Sequence, residues 1–232
     1  MSTATRSNPS PQIYQAGASQ ARNLSLFLLS TGILGPLVFV LNVVLGGIIT
    51  PGYSHLRHAV SELTQSGAQH IVVLSVPFIL SAHLMLVFGV AVYCKYHRNR
   101  ERVATGGIMI ALYAVQAVLL ASVFPQDPIG SPATLSGTMH LVLVAISALC
   151  IVAAILLVGS GVDPNSDMWR DFQVYSILSV VVMLTSGAST GVLIANDVAL
   201  LGLAQRVTQL AYLQWFGVFA YKAYMDHHPK ES

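Results

Sequence analysis

The sequence predicts an all-α fold: a bundle of six transmembrane helices with both termini cytoplasmic and a short amphipathic helix in the first outer loop. Three observations lead there. Of the 232 residues 54% are hydrophobic and only 9% are charged, against about 25% charge in a soluble globular domain. Six apolar runs each reach the ~20 residues that a helix needs to cross a bilayer core. Nine of the eleven Lys and Arg residues fall on one side of those runs when the chain is threaded through them, as the positive-inside rule requires.

Taken in order, the first residues, 1–23, are polar and rich in Ser, Pro and Gln, which predicts a disordered cytoplasmic tail. The first apolar run is too long and too far from the start for a cleavable signal peptide. The transmembrane domain, 24–221, holds spans at about Leu24–Ile49, Ile71–Tyr93, Val103–Phe124, Met139–Val158, Phe172–Ile194 and Leu200–Tyr221, and a short C-terminal tail covers 222–232. The runs are too long and too uniformly apolar for barrel strands, and in hydrocarbon each backbone group must bond within its own segment, so each is a helix. Lys95, Arg98, Arg100 and Arg102 lie in the loop after span 2, Arg170 in the loop after span 4, and Arg6, Arg22, Lys222 and Lys230 in the tails. That side is cytoplasmic, in a cell (cytoplasmic) membrane; only Arg57 and Arg206 fall toward the outside. A net charge of +2 without a basic, aromatic-studded patch excludes nucleic acid as a partner and leaves the lipid bilayer. Cys94 and Cys150 do not form a disulfide framework. No internal repeat points to an inverted-repeat transporter.

Loop 1, residues 50–70, carries most of the chemistry. Ser54 can cap a helix on which Leu56, Ala59, Val60 and Leu63 share one side. His55, His58 and Glu62 then gather on another, within about 60° by the 3.6-residue period. Two imidazoles and a carboxylate on one face suit a divalent metal or a proton-transfer site, a lipid headgroup or small ligand, or the wet face of a helix lying on the membrane.

Further ionisable groups approach the same side. Asp127 follows Phe124-Pro125 in loop 3, His140 starts the fourth span, His70 the second, and Arg206 lies about 9 Å into the sixth at 1.5 Å per residue. A charge inside a span is costly and needs a partner; Glu62 and Asp127 are the candidates, with Asp197 on the wrong face of a continuous helix. Gln205, Arg206, Gln209 and Tyr212 form one stripe. Asn42, Gln116, Ser186 and Thr190 reach comparable depth, as interhelical hydrogen bonds or as lining of an outward cavity. His83, mid-span, is expected to have a polar partner on a neighbouring helix.

The run His58-Ala59-Val60-Ser61-Glu62-Leu63, followed by Phe124-Pro125-Gln126-Asp127, His140, Arg206 and Trp215, resembles the six-helix prokaryotic family catalogued as domain of unknown function 998. The resemblance covers nearly the whole chain apart from the tails, and implies a fold without an established reaction. A more distant likeness, in architecture, is to the Frag1/DRAM/Sfk1 membrane proteins, which are linked to lipid organisation. Three functional classes follow from the residues. The first is binding of a lipid headgroup or small amphiphile by Arg206, His55, His58, Glu62, Asp127, His140 and Gln209. The second is a membrane-embedded enzyme using His58, Glu62, Asp127 and His140 for acid–base chemistry, or His58, Glu62 and His140 as metal ligands. The third is a haem or redox protein using His70 and His140. Ser61 has no identifiable oxyanion hole, which argues against serine catalysis.

Overall fold

The computed structural model describes residues 11–196 and 199–226, with side chains from residue 23 onward except those of 191, 194 and 195. Six long helices follow in order: α1, Pro11–Ile49; α2, Ile71–Tyr96; α3, Glu101–Ser122; α4, Leu135–Gly161; α5, Phe172–Ala195; and α6, Leu201–Met225. A 3-10 turn at Val60–Thr64 is the one other helical element, and no strand occurs among the described residues. Five helices are long and apolar enough to cross a membrane: α2, α3 and α4 over their full lengths, α1 from Asn23 and α5 over Phe172–Thr190. Helix α6 is as long, but Gln205, Arg206, Gln209 and Gln214 dilute its apolar character. Large apolar side chains such as Ile48 and Leu149 stand 75% and 70% exposed on the outside of the bundle, which suits lipid and not water.

Several boundaries depart from the sequence reading; α4, for one, begins at Leu135 and not Met139 and ends at Gly161 and not Val158. Helix α1 begins at Pro11, so residues 11–23, expected to be a disordered tail, are helical in backbone. Proline is tolerated in the first turn, and Ala, Gln and Arg then favour continuation. Helix α6 likewise runs past Tyr221 to Met225. Residues 1–10, Asp197, and His227 and His228 of the C-terminal tail lie outside the described residues.

The helices close a ring in chain order, α1 to α6, with α6 packed back on α1. Short turns make consecutive helices antiparallel neighbours. The α2–α3 pair is the tightest. A Cβ on Gly89 would lie 2.7 Å from both Gly107 O and Ala111 N, so the backbones touch there. Helices α1 and α2 each contain a proline, Pro36 and Pro77. Near each loosened turn a side chain from the other helix takes a carbonyl: Ser81 Oγ donates to Gly35 O at 2.8 Å and Asn42 Nδ2 to Leu74 O at 2.8 Å.

The two ends differ. At the loop-2 end a solid aromatic cluster of Trp169, Phe172, Trp215, Phe216 and Phe219 fills the core, all fully buried. Above it Arg100 pairs with Asp226 at 3.3 Å and Lys95 Nζ donates to Ala223 O. At the loop-1 end the bundle is hollow. His83 lies between them, exposed on the outer surface of α2 and bonded through Nδ1 only to Ile79 O of its own helix. No interhelical partner stands beside it among the described residues; the α2 face that packs inward is Ser81, Ala82 and Met85 instead.

Candidate functional site

Loop 1 is not the amphipathic α-helix that its sequence suggests. After α1 the chain turns at Gly52, whose φ of +73° lies in the left-handed region. Arg57 N–H and His58 N–H both donate to Ser54 O, and the one regular turn is the 3-10 segment from Val60. The common face of His55, His58 and Glu62 therefore does not form. Two of the three side chains instead take up backbone N–H groups of the loop, one of which, that of Ala59, a continuous helix would have satisfied. Ser54 N–H donates to His58 Nδ1 at 2.8 Å, and Ala59 N–H donates to Glu62 Oε1 at 2.6 Å. His58 Nδ1 is thus an acceptor.

Arg206 fastens this loop to α6. Its Nη1 donates to His58 O at 3.0 Å and Gly202 O at 2.9 Å; its Nη2 donates to Tyr53 Oη at 2.6 Å and His55 Nδ1 at 3.0 Å. The guanidinium also lies 5.6 Å from the Tyr53 ring centroid. Only Nε is left buried without a partner. Neither Glu62 nor Asp127 pairs with it: among the described residues the ion pairs are Arg100–Asp226 and Arg170–Asp167. The loop's own carbonyls, a phenol and an imidazole replace the carboxylate expected from the sequence. Because Arg206 can only donate, His55 is neutral with its proton on Nε2. Burial, then the Arg206 charge, hold the His55 pKa below its usual value. Burial raises that of Tyr53, a rise that Arg206 opposes and Glu62 adds to.

Two glycines not singled out from sequence make the clamp fit. A Cβ on Gly47 would stand 2.1 Å from His55 Nε2, and one on Gly202 would stand 2.5 Å from His58 O. Leu203 N–H donates to Leu56 O, and Val60 N–H to Gln205 Oε1 at 2.6 Å. The Gly46-Gly47 pair at the end of an apolar span was the available signal for Gly47; Tyr53 carried none.

The Phe124-Pro125-Gln126-Asp127 run closes loop 3 residue by residue. Phe124 O accepts from His140 Nδ1 at 2.8 Å, Pro125 O from Ser136 Oγ at 3.0 Å, and Gln126 O from Ser66 N–H of loop 1 at 2.9 Å. Asp127 accepts from Thr134 N–H at 2.8 Å and Thr134 Oγ1 at 2.7 Å, bonds that lower its pKa. Thr134 in turn caps α4 by accepting from Gly137 N–H. Since a carbonyl only accepts, His140 carries a proton on Nδ1, and in the neutral ring Nε2 is a lone-pair acceptor with no partner among the described residues.

Two chambers occupy the loop-1 end. A groove of about 610 Å³ is lined by Arg57, His58, Gln126, Asp127, Leu141 and Leu193, among others. A cavity of about 240 Å³ lies inside the ring, lined by Phe39, Phe78, Tyr113, His140, Gln209 and Tyr212, among others. Ser61 and Gln205 line both and form the wall between them. Of the sequence candidates, the groove receives His58 and Asp127, the cavity receives His140 and Gln209, and Arg206, His55 and Glu62 are spent within loop 1. His58, Glu62 and His140 do not converge: among the described residues no three His, Cys, Asp or Glu side chains form a metal-binding group. His70 precedes α2 as its N-terminal flanking residue.

The architecture defines a multi-pass helical membrane protein. Within that class the chain belongs to the family described as Protein of unknown function (DUF998), whose model matches residues 33–222. No curated protein and no solved structure matches it.

Proposed function

We propose that this is a six-span protein of the cytoplasmic membrane, with both termini inside, that binds a lipid headgroup or small amphiphile at its outer end. Helix α6 closes the ring between α5 and α1 and matches its neighbours in length, which supports a sixth crossing. The cationic residues of loops 2 and 4 and of the C-terminal end of α6 support the orientation. Binding rests on one observation: a groove that carries Arg57, His58 and Asp127 and a cavity whose lining holds no Asp, Glu, Lys or Arg meet at a shared wall, Ser61 and Gln205. That pairing matches a molecule with a polar and an apolar part. In this reading Arg57 and His58 contact the polar part, while Arg206, His55 and Glu62 hold loop 1 in place. Mass spectrometry of protein purified in mild detergent tests it. The wild type should carry a stoichiometric amphiphile that Arg57→Glu/His58→Ala depletes. Protein that carries only bulk lipid, unchanged in the variant, refutes the proposal.

A further inference from the structure

The cavity inside the ring is selective in a way that the groove is not. None of its lining residues is Asp, Glu, Lys or Arg, so a phosphate or carboxylate drawn into it would have no counter-charge. Most of its polar groups already have partners. Ser81 Oγ donates to Gly35 O, Ser147 Oγ donates to Gln116 Oε1 at 3.1 Å, and Thr208 Oγ1 shares a hydrogen bond with Ser186 at 2.8 Å. His140 Nε2, the Gln209 amide and the Ser61 and Thr64 hydroxyls near the mouth are without partners among the described residues, and of these His140 is the most buried, only 7% exposed. The ring is held by Phe124 O in the tautomer that leaves Nε2 an acceptor, as an orienting second partner does for a ligating histidine. His140 lies five residues into α4, about 7.5 Å from its start, and Ile151, which also lines the cavity, is about 24 Å from that start. The acceptor thus sits high in the cavity; the wall below it is largely aromatic and aliphatic, and its Ser81 and Ser147 hydroxyls are already bonded.

The side of the ring next to this cavity is its weakest. Helices α4 and α5 make the thinnest contact of the six neighbouring pairs. Past Met183, no described α5 side chain is fully buried. Met183 lines the cavity, and Leu193 of the same helix lines the groove.

We infer that the cavity takes an uncharged lipid alcohol from the outer leaflet through the α4–α5 seam. Its hydroxyl donates to His140 Nε2 and accepts from Gln209, and its apolar chain lies among Phe39, Phe78 and Tyr113. This assignment rests on the amphiphile-binding reading and names the ligand class. A hydroxyl supplies the donor that Nε2 lacks; an ether does not.

The test is photo-crosslinking of the full chain in phosphatidylglycerol nanodiscs with a medium-chain alkanol carrying a diazirine. Labels should map to α4 and α6 residues of the cavity. The unlabelled alkanol should compete about tenfold better than its methyl ether, one hydrogen bond's worth. His140→Phe should cut labelling by a similar factor. Ala148→Leu, which fills the cavity and leaves His140 intact, should abolish it, so a poorly folded His140 variant does not remove the test. Equal competition by the ether, or labels scattered over lipid-facing residues, overturns the inference. If that result comes with a stoichiometric copurifying phospholipid, the broader binding reading survives; if no amphiphile copurifies, both fall.

Discussion

Replacing Arg206 by alanine should open loop 1 and leave the bundle standing. The guanidinium makes three hydrogen bonds to the loop, to His58 O, Tyr53 Oη and His55 Nδ1. Hydrogen bonds to a charged group contribute about 1.5–3 kcal/mol each. Tyr53 keeps a second bond, to Ala59 O at 2.9 Å, and the variant also relieves the orphaned Arg206 Nε. Both offsets bring the net cost toward about 3–4 kcal/mol, below a simple sum. Since 1.4 kcal/mol is a factor of ten, amide exchange over residues 53–60 should accelerate by roughly two orders of magnitude or more. Hydrogen–deuterium exchange in nanodiscs reads this directly. The amides around Gly89 and Gly107 should be unaffected, because that close α2–α3 contact is made between the two helix backbones, away from the loop. Arg206→Lys, which keeps the charge but has no fork of donors, should fall between. Exchange in loop 1 within threefold of wild type, or acceleration spread evenly over all helices, would refute the clamp.

Acid should weaken the same clamp. His55 accepts from Arg206 only when neutral, and its folded pKa is depressed below the ordinary ~6.5. Its contribution is therefore complete above about pH 6.5 and lost as pH falls through the lower folded value. Loop-1 exchange corrected for intrinsic rates should rise between pH 7.5 and 5, and His55→Gln should remove that pH response; a response that persists in the variant points to another group. Thr134→Ala, which deletes the α4 cap and the Asp127 contact, should cost about 1 kcal/mol, visible as faster exchange at residues 135–138. Gly89→Val should destabilise the bundle by about 1–3 kcal/mol, read as a lower thermal midpoint, because its Cβ would meet the α3 backbone at 2.7 Å; an unchanged midpoint would show that α2 and α3 can separate.

The helices were legible because hydrocarbon leaves no alternative backbone structure: long apolar runs end at loop 2 and loop 4 charges, and the structure ends α2 and α4 close to those positions. Helix α6 was legible only through its length and place in the order. What periodicity could not show was the path of loop 1. A wheel assumes 3.6 residues per turn, but Gly52 and the 3-10 segment break that repeat, so residues on one predicted face separate. The Arg206 partners were misread for a related reason. Sequence reveals which side chains carry formal charge; it does not reveal carbonyls exposed by a non-helical loop, and these took the guanidinium. His140 was recognisable by its place at the start of a span, whereas its tautomer depends on Phe124 O, sixteen residues back on another element.

The conspicuous charges thus serve closure, and the quieter residues line the space. Loop 1 is tied to α6 by Arg206, by Leu203 N–H on Leu56 O and by Val60 N–H on Gln205, and to loop 3 by Ser66 N–H on Gln126 O. Each tie would have to break for loop 1 to lift, at a cost that sums over several hydrogen bonds. The α4–α5 seam has no comparable set among the described residues: beyond Met183 no described α5 side chain is fully buried. Motion follows the weaker boundary. A ligand that reaches the cavity from the side must first dissolve in the bilayer, which favours an uncharged amphiphile over a water-borne ion, in accord with a cavity whose lining carries no charge.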